Sequence, residues 1–251
     1  CSSDSAECFC SAATAAIIPK VNQRFCVESV FDGASVMGAP FSFCRELNMI
    51  VIGVTGGVAC GKSTVSRKLK ERLPTELVGV FDSDAAVKEL MTRDEVVEAI
   101  KEIDEISAGF FKESGLLKDK FRKRVFDNSD FRERVQSILH PLVSDLASQF
   151  CEKNKTFAKM VLMEIPLLYE VSFPLDRDLE VVVAASRETQ LARLQSKRHL
   201  DCELAERVVA SQLPTEEKIN RGDILVWNDG NEEALDEQIR HLVNRCLPIF
   251  D

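Results

Sequence analysis

Residues 56–64 read Gly-Gly-Val-Ala-Cys-Gly-Lys-Ser-Thr, and they fit the pattern G-x-x-x-x-G-K-[ST] at every fixed position. Glycines in this pattern allow backbone N–H groups to turn inward around a phosphate, and the N-terminus of the next helix carries a partial positive charge. The apolar run at residues 49–54 comes directly before the motif, as the strand of such a site should. The pattern predicts a phosphate-binding loop, here called the P-loop, between a strand and a helix.

The residue types of the P-loop predict how it would hold a nucleotide. Lys62 can reach the outer phosphates, and the hydroxyl of Ser63 can hold Mg²⁺. Cys60 lies beside a lysine and a helix N-terminus, which both favour a reactive thiolate, although a small side chain that only fills the loop is an equal alternative. The predicted nucleotide contacts within the loop are Gly57, Ala59, Cys60, Gly61, Lys62, Ser63 and Thr64.

Two carboxylates follow the next apolar run, residues 77–81, and are therefore expected at the carboxyl end of a strand, where open α/β sheets bind their ligands. A carboxylate at this place can orient an acceptor hydroxyl and take its proton, or hold the water shell of Mg²⁺. The alternative is a helix N-cap, which aspartate also favours. We favour catalysis for Asp84, and for Asp82 we leave acceptor binding and capping open.

Other charged residues lie at positions suited to phosphoryl transfer. Glu164 closes the apolar run 160–163 and can point at the metal, or it can be a solvated strand end. Arg193, Lys197 and Arg198 can form a lid that covers the nucleotide and neutralises charge on the transferring phosphoryl group. Of the three, Arg193 is predicted to contact the nucleotide. The alternative for these cations is a favourable interaction with the C-terminus of a helix.

The composition excludes several classes of protein. The chain has 251 residues, 45% hydrophobic and 29% charged, which is ordinary for a globular domain. Its net charge of −9 argues against nucleic-acid binding, although basic residues cluster within 118–124. No apolar run approaches the ~20 residues that cross a bilayer, so we expect no membrane partner. The nine cysteines include no C-x-x-C pair, so we expect free thiols and a cytoplasmic location.

Residues 1–48 differ from the rest of the chain, because they are rich in Ala, Ser and Cys and have no helical or strand period. The first residue is not methionine, and Met49 stands where a compact domain can start. Three interpretations compete: a targeting presequence, an artefact of the gene boundaries, and an ordered extension. Five acidic residues against three basic ones argue against an organellar presequence. We predict a dispensable leader at 1–48 and a catalytic domain at 49–251.

Short apolar runs alternate with amphipathic stretches from Met49 onwards, a pattern typical of parallel strands joined by helices. The insertion at residues 85–155 is expected to contain helices only, with its phenylalanines in the core of a helical subdomain. Pro141 predicts one helix that ends near Leu139 and another that begins at Pro141, with His140 at the junction. Ser186 and Asp201 are predicted N-caps. The predicted strands are residues 50–55, 77–81, 159–165, 180–184 and 224–227.

Several separated stretches, taken together and in order, resemble the dephospho-coenzyme A kinase family. They include the P-loop and the D-x-D, H-P-L and P-L-L-x-E motifs, and Gln212 and Asp223 match the later pattern. The resemblance implies an α/β P-loop kinase fold of three layers: a five-stranded parallel sheet, a helical acceptor-binding insertion at about 85–155 and a lid at about 193–203. The matching stretches are residues 54–64, 82–84, 125–126, 139–143, 166–170, 188–191 and 228–230.

The resemblance implies that ATP, with Mg²⁺, phosphorylates the ribose 3′-hydroxyl of dephospho-coenzyme A. Asp84 matches the proposed catalytic carboxylate, with Lys62 and a lid cation beside the transferring group. The residues implied to line the acceptor site are Asp82, His140, Pro166, Leu167 and Glu170.

Three positions depart from the family pattern. Lys197 stands where arginine is usual, with Arg198 next to it, and a lysine cannot make the same bidentate contact. Cys60 replaces a small residue, and Glu164 stands where aspartate is common. Two alternatives stay open: a kinase for another small hydroxyl acceptor such as a nucleoside, and a nucleotide-binding regulator without turnover.

Overall fold

The computed structural model describes residues 49–112, 115–170, 173 and 175–246. The predicted leader, residues 1–48, lies outside these described residues. Within the described part, no helix is long and apolar enough to span a membrane.

A parallel sheet in the order β2-β5-β1-β6-β7 forms the centre of the molecule. The first strand, β1, lies between β5 and β6 and delivers the chain to the P-loop. Successive apolar residues make these strands suited to burial on both faces. All five strands were predicted, each to within one residue at its ends. The strands are β1 Ile50–Gly56, β2 Val78–Asp82, β5 Met160–Glu164, β6 Leu179–Ala184 and β7 Ile224–Trp227.

Nine α-helices surround the sheet in the described part of the chain. Two further short stretches, Thr75–Leu77 and Ser107–Phe110, are 3₁₀ helices. The α-helices are α1 Lys62–Arg72, α2 Ser83–Leu90, α3 Asp94–Lys101, α4 Lys118–Asp127, α5 Ser129–Asn154, α6 Arg187–Arg198, α7 Cys202–Ala210, α8 Thr215–Arg221 and α9 Glu232–Cys246.

The two faces of the sheet are covered by different helices, which gives three layers. Alternate strand residues point to opposite faces, so Ile52 packs with α1 and α9, whereas Val51 packs with α2, α3 and α5. A third, smaller cluster joins the P-loop residue Val58 to Leu194 on α6 and Val208 on α7. The P-loop is therefore in contact with the region predicted to be the lid.

The prediction of a helix break at Pro141 was wrong. α5 runs through the proline without interruption, so His140 lies in the middle of a helix and not at a junction. An interior proline costs about 3 kcal/mol in an isolated helix, but an apolar stripe on both sides of it packs into the core and offsets this cost. The buried apolar residues of the stripe are Phe131, Val135, Leu139, Val143, Ala147 and Cys151.

The insertion is not made of helices only. Two short antiparallel strands, β3 Phe111–Lys112 and β4 Gly115–Leu116, lie between the 3₁₀ helix and α4. The phenylalanines of this region mostly pack together as expected, with Phe110, Phe121 and Phe131 in mutual ring contact. Phe126 differs, because it packs against the cluster of α6, α7 and the P-loop.

The two predicted N-caps are confirmed. The Ser186 hydroxyl accepts a hydrogen bond from the Thr189 N–H at the start of α6, and the Asp201 carboxylate accepts one from the Leu204 N–H at the start of α7. Between the two helices, His199 adopts a left-handed backbone with φ 53°. This single turn sets the direction in which α7 leaves the end of α6.

Candidate active site

The P-loop backbone requires glycine at two positions. Gly56 has φ +146°, and a Cβ atom there would lie 1.9 Å from the carbonyl oxygen of Val183. Gly61 has φ +95°, and a Cβ atom there would lie 2.3 Å from Asn228 Nδ2. Neither conformation suits a larger residue. Glycine at these two positions allows the loop to approach β6 and the end of β7 closely.

Side chains from distant parts of the chain hold the P-loop backbone. The Val58 N–H donates to Gln212 Oε1 at 2.8 Å, just beyond α7. Arg193 on α6 donates to the carbonyl of Cys60 at 3.4 Å and to that of Asn228 at 2.8 Å. Asn228 Nδ2 in turn donates to the Cys60 carbonyl at 2.7 Å. The loop is therefore fixed from the lid side and from the end of β7.

Lys62, the first residue of α1, is folded over the P-loop. Its Nζ donates to the carbonyl oxygens of Gly56 at 3.1 Å and of Gly57 at 2.9 Å. Burial lowers the pKa of Lys62, and the negative charges of Asp84 and Glu164 act in the opposite direction. The ammonium is thus held at the loop, with carboxylates close enough to favour its charged form.

Ser63 and Glu164 meet at the carboxyl end of β5. The Ser63 hydroxyl donates to Glu164 Oε2 at 2.7 Å. Burial raises the pKa of Glu164, which is 6% exposed, and the hydrogen bond from Ser63 opposes that rise. A hydroxyl and a carboxylate are the hard oxygen ligands that Mg²⁺ prefers. The described residues include no group of three or more His, Cys, Asp or Glu that could hold a metal.

The two aspartates after β2 have different surroundings. Asp82 caps α2, because its Oδ1 accepts a hydrogen bond from the Ala85 N–H at 3.1 Å. Asp84, in the first turn of the same helix, is exposed and lines the cavity described next. Capping accounts for Asp82, whereas Asp84 is the carboxylate that faces the P-loop.

A cavity of about 440 Å³ opens above the P-loop. It brings Lys62, Ser63 and Asp84 together with the three predicted lid cations. The cavity continues beyond the P-loop towards the start of α9. Its lining residues are Ala59, Gly61, Lys62, Ser63, Thr64, Lys68, Asp84, Arg193, Lys197, Arg198, Asn228, Gly230, Asn231, Glu232 and Leu235.

Of the two interpretations of Cys60, the structure favours a small side chain that fills the loop over a reactive thiolate. The side chain is fully buried beneath the P-loop and does not line the cavity. Burial raises the pKa of the Cys60 thiol, and the nearby charge of Lys62 only partly opposes this. The motif showed the lysine and the helix N-terminus, but the burial that outweighs them arises only in the folded core.

The residues predicted to line the acceptor site do not line this cavity. His140 is half-buried on α5, and burial lowers its pKa. Pro166 and Leu167 are half-buried just beyond β5. The Glu170 carboxylate contacts Lys218 Nζ at 2.6 Å. We call residues 166–170 the acceptor segment from here on, after the role that the sequence predicts for them.

Sequence reasoning assigned no role to four residues that shape the site. Gln190 lies against Gly57, Gln212 and Asn228 hold the P-loop, and Lys218 contacts the acceptor segment. Three of these fall in stretches, or at positions, that resemble the family pattern, so a signal was present. No sequence signal pointed to Lys218, because a lysine in an amphipathic helix is ordinarily expected to be exposed.

The sheet order and the cavity define the class of this protein. A strand, a glycine-rich loop and a helix form the phosphate site at the centre of a five-stranded parallel sheet, and a carboxylate and cations face it. This is the arrangement of a P-loop kinase, which transfers phosphoryl groups.

The comparison with known families is more specific. The CoaE dephospho-CoA kinase family model matches residues 50–234. The chain belongs to the dephospho-CoA kinase family, as its motifs suggested.

Relatives from bacteria and yeast agree with this assignment. Dephospho-CoA kinase of Fusobacterium nucleatum is 31% identical over 194 residues, which cover 77% of this chain and 96% of the relative. The Geobacter metallireducens dephospho-CoA kinase is 36% identical over 198 residues, which cover 76% of this chain and 94% of the relative. Dephospho-CoA kinase CAB5 of Saccharomyces cerevisiae is 30% identical over 209 residues, which cover 80% of this chain and 84% of the relative. A crystal structure of TT1252 from Thermus thermophilus has a TM-score of 0.64 and 26% identity, covering 79% of this chain and 98% of that one.

Proposed function

We propose that this protein transfers the γ-phosphoryl group of ATP to the ribose 3′-hydroxyl of dephospho-coenzyme A. The observation that carries the proposal is the shared cavity in which Lys62, Asp84 and the lid cations face one another. Membership of the family supports the choice of acceptor. The products are ADP and coenzyme A.

The P-loop binds the phosphates of ATP in this proposal. Backbone N–H groups at residues 57–64 and the N-terminus of α1 surround the β-phosphate, and Lys62 reaches the γ-phosphate. The ordered loop favours this role, because its backbone is held from outside and needs little rearrangement to accept an anion. Arg193 contributes to nucleotide binding mainly by holding the loop.

Ser63 and Glu164 are the residues that would hold Mg²⁺. When bound with the nucleotide, the ion neutralises charge on the β- and γ-phosphates. Ser63 offers its hydroxyl oxygen, and Glu164 accepts the hydroxyl proton in a hydrogen bond that keeps this oxygen oriented. A glutamate in place of the more common aspartate extends the carboxylate by one methylene towards Ser63.

Asp84 orients the acceptor and takes its proton. The 3′-oxygen forms a bond to the γ-phosphorus while the bond from that phosphorus to the β,γ-bridging oxygen breaks, and ADP leaves. The proton of the hydroxyl passes to the Asp84 carboxylate, so charge is balanced. Asp84 suits this role because it lines the cavity and is exposed, whereas Asp82 is occupied as the N-cap.

Lys197 and Arg198 offset the negative charge of the transferring phosphoryl group. Both lie in the last turn of α6, are exposed and line the same cavity as Asp84. Closure of the lid over the nucleotide would bring one of them to the γ-phosphate. His140, Pro166 and Leu167 contribute to the acceptor side, at the ends of β5 and along α5. The free thiols among the described residues favour a cytoplasmic location.

A coupled assay with ATP, Mg²⁺ and dephospho-coenzyme A tests the proposal directly. We expect ADP formation that depends on dephospho-coenzyme A, and a new 3′-phosphate on the product by mass spectrometry. Adenosine and other nucleosides serve as alternative acceptors. Turnover with a nucleoside but not with dephospho-coenzyme A would contradict the proposed acceptor. ATP binding without transfer to any acceptor would contradict catalysis and favour a regulator.

A further inference from the structure

Lys218 on α8 is the most deeply buried charged residue in the part of the chain that the structure describes, with 1% of its surface exposed. Its Nζ lies 2.6 Å from Glu170 Oε1 and 3.5 Å from the carbonyl oxygen of Pro166. Both partners belong to the acceptor segment. An ammonium group buried in this way is unfavourable unless it is paired. Its two partners connect α8 with the segment that follows β5.

The same carboxylate also contacts the chain just after α7. Glu170 Oε1 accepts a hydrogen bond from the Leu213 N–H at 3.0 Å. The neighbouring residue, Gln212, accepts the hydrogen bond from the Val58 N–H of the P-loop. The acceptor segment and the P-loop are thus attached to the same short stretch, residues 212–218. Movement of that stretch would displace both together.

A third contact closes the arrangement from the side of β1. Thr55, at the entrance to the P-loop, donates its hydroxyl proton to the Pro166 carbonyl at 3.5 Å. The same carbonyl receives Lys218 Nζ. Burial lowers the pKa of Lys62, and the charge of Lys218 acts in the same direction. The Glu170 carboxylate, 2.6 Å from Lys218 Nζ, offsets the charge of Lys218.

We propose that Lys218 and Glu170 form a positioning pair that fixes the acceptor segment relative to the P-loop. Neither side chain touches the reacting atoms. Their role is to set the distance between the acceptor hydroxyl and the γ-phosphate, which strongly affects the rate because small misplacements of the reacting groups are costly. This inference rests on the proposed function, and it changes the expected role of Glu170 from acceptor contact to positioning.

Steady-state kinetics of Lys218→Met and Glu170→Gln, with dephospho-coenzyme A and ATP varied separately, test the pair. We expect each variant to lower kcat by about 10-fold or more and to raise the KM for dephospho-coenzyme A, with the KM for ATP changed by less than about three-fold. If Glu170 contacted the acceptor directly, Glu170→Gln would raise that KM whereas Lys218→Met would not. That outcome would overturn the proposal.

The double variant Lys218→Met/Glu170→Gln separates positioning from stability. Replacing both members of a shielded ion pair is often neutral for stability, whereas Glu170→Gln alone leaves the buried Lys218 charge unpaired. We therefore expect the double variant to recover the Tm of the wild type while its kcat stays at least about five-fold lower. Recovery of wild-type kcat together with the Tm would show a purely structural role and overturn the proposal. The double variant also provides the test if a single variant does not fold.

Arg67→Met is a control that removes one member of an ion pair away from the site, because Arg67 pairs with Glu71 on the exposed face of α1 and neither residue lines the cavity. We expect it to leave both KM values and kcat unchanged. Lys218→Arg should restore part of the activity. Absence of dephospho-coenzyme A turnover in the wild type would contradict the proposed function itself, whereas unchanged kinetics in Lys218→Met, with an active wild type, would overturn only the positioning pair.

Discussion

The P-loop and the opposite wall of the cavity are held in different ways. Gln212, Arg193 and Asn228 bind the backbone of the P-loop, so its shape exists without a substrate. The carboxylate of Asp84 makes no hydrogen bond or ion pair with any residue that the structure describes, and it is exposed. The P-loop is therefore held in shape by the fold, whereas Asp84 is a single exposed side chain that the substrates must position.

Lys197 and Arg198 resemble Asp84 in this respect, because they are exposed and make no ion pair within the described residues. The last turn of α6 fixes their backbone, but no ion pair in the described part of the chain fixes their side chains. The comparison predicts that variants of the P-loop affect both nucleotide binding and turnover, whereas variants of the opposite wall affect turnover alone.

The largest expected effect is that of Lys62→Ala. Loss of the cation that holds the outer phosphates in the proposed reaction should reduce kcat/KM for ATP by about 10³-fold, since one such donor is typically worth 10²–10³. Isothermal titration with ATP should also show weaker binding. Lys70→Ala, two turns further along α1 and outside the cavity, is the control and should behave like the wild type. Normal ATP affinity in Lys62→Ala would contradict the prediction that variants of the P-loop weaken nucleotide binding.

Asp84→Asn should lower kcat by about 10²-fold, because a positioned proton acceptor contributes at least that much. The affinity for ATP should be nearly unchanged, since the P-loop is intact. Steady-state kinetics and ATP titration measure the two effects separately. Glu89→Gln, an exposed residue on the same helix, is the control. Near-normal turnover in Asp84→Asn would exclude it as the base, and an equal loss in Asp82→Asn would show that Asp82 does more than cap α2.

A smaller effect is expected at the lid. Arg198→Ala should lower kcat by at least about 10-fold, and Lys197→Ala by less, because a guanidinium can make bidentate contacts to the phosphoryl oxygens. Arg198→Lys should lie between the two. Single-turnover measurements with saturating ATP isolate the chemical step. A greater loss in Lys197→Ala would identify lysine as the lid cation and show that a point charge suffices.

The smallest effect concerns the two thiols in these regions. Cys60 is buried with a raised pKa, whereas Cys202 at the start of α7 is exposed. Iodoacetamide at pH 8 should therefore label Cys202 at least about 10-fold faster than Cys60, because the thiolate is the reactive form and access is required. Peptide mass spectrometry gives both rates. Cys60→Ser should stay active, and faster labelling of Cys60 would show that the P-loop opens in solution.

Much of the fold follows from local patterns in the sequence. The five strands were predicted because consecutive apolar residues between turn signals are typical of strands buried on both faces. The caps at Ser186 and Asp201 were predicted because a capping side chain acts on a backbone N–H three residues away. The pattern at Pro141 misled, because the burial that offsets the cost of the proline comes from the sheet and from α2 and α3.

Within the site, the sequence by itself determined the P-loop, because all of its defining residues lie within nine consecutive positions. It also predicted the carboxylate and the cations that line the cavity. Only the tertiary structure decided that Cys60 is buried with a raised pKa, that Asp82 caps a helix and that Lys218 is buried against Glu170. Desolvation and pairing are set by residues far apart in the chain, and the spacing of neighbouring residues carries no record of them.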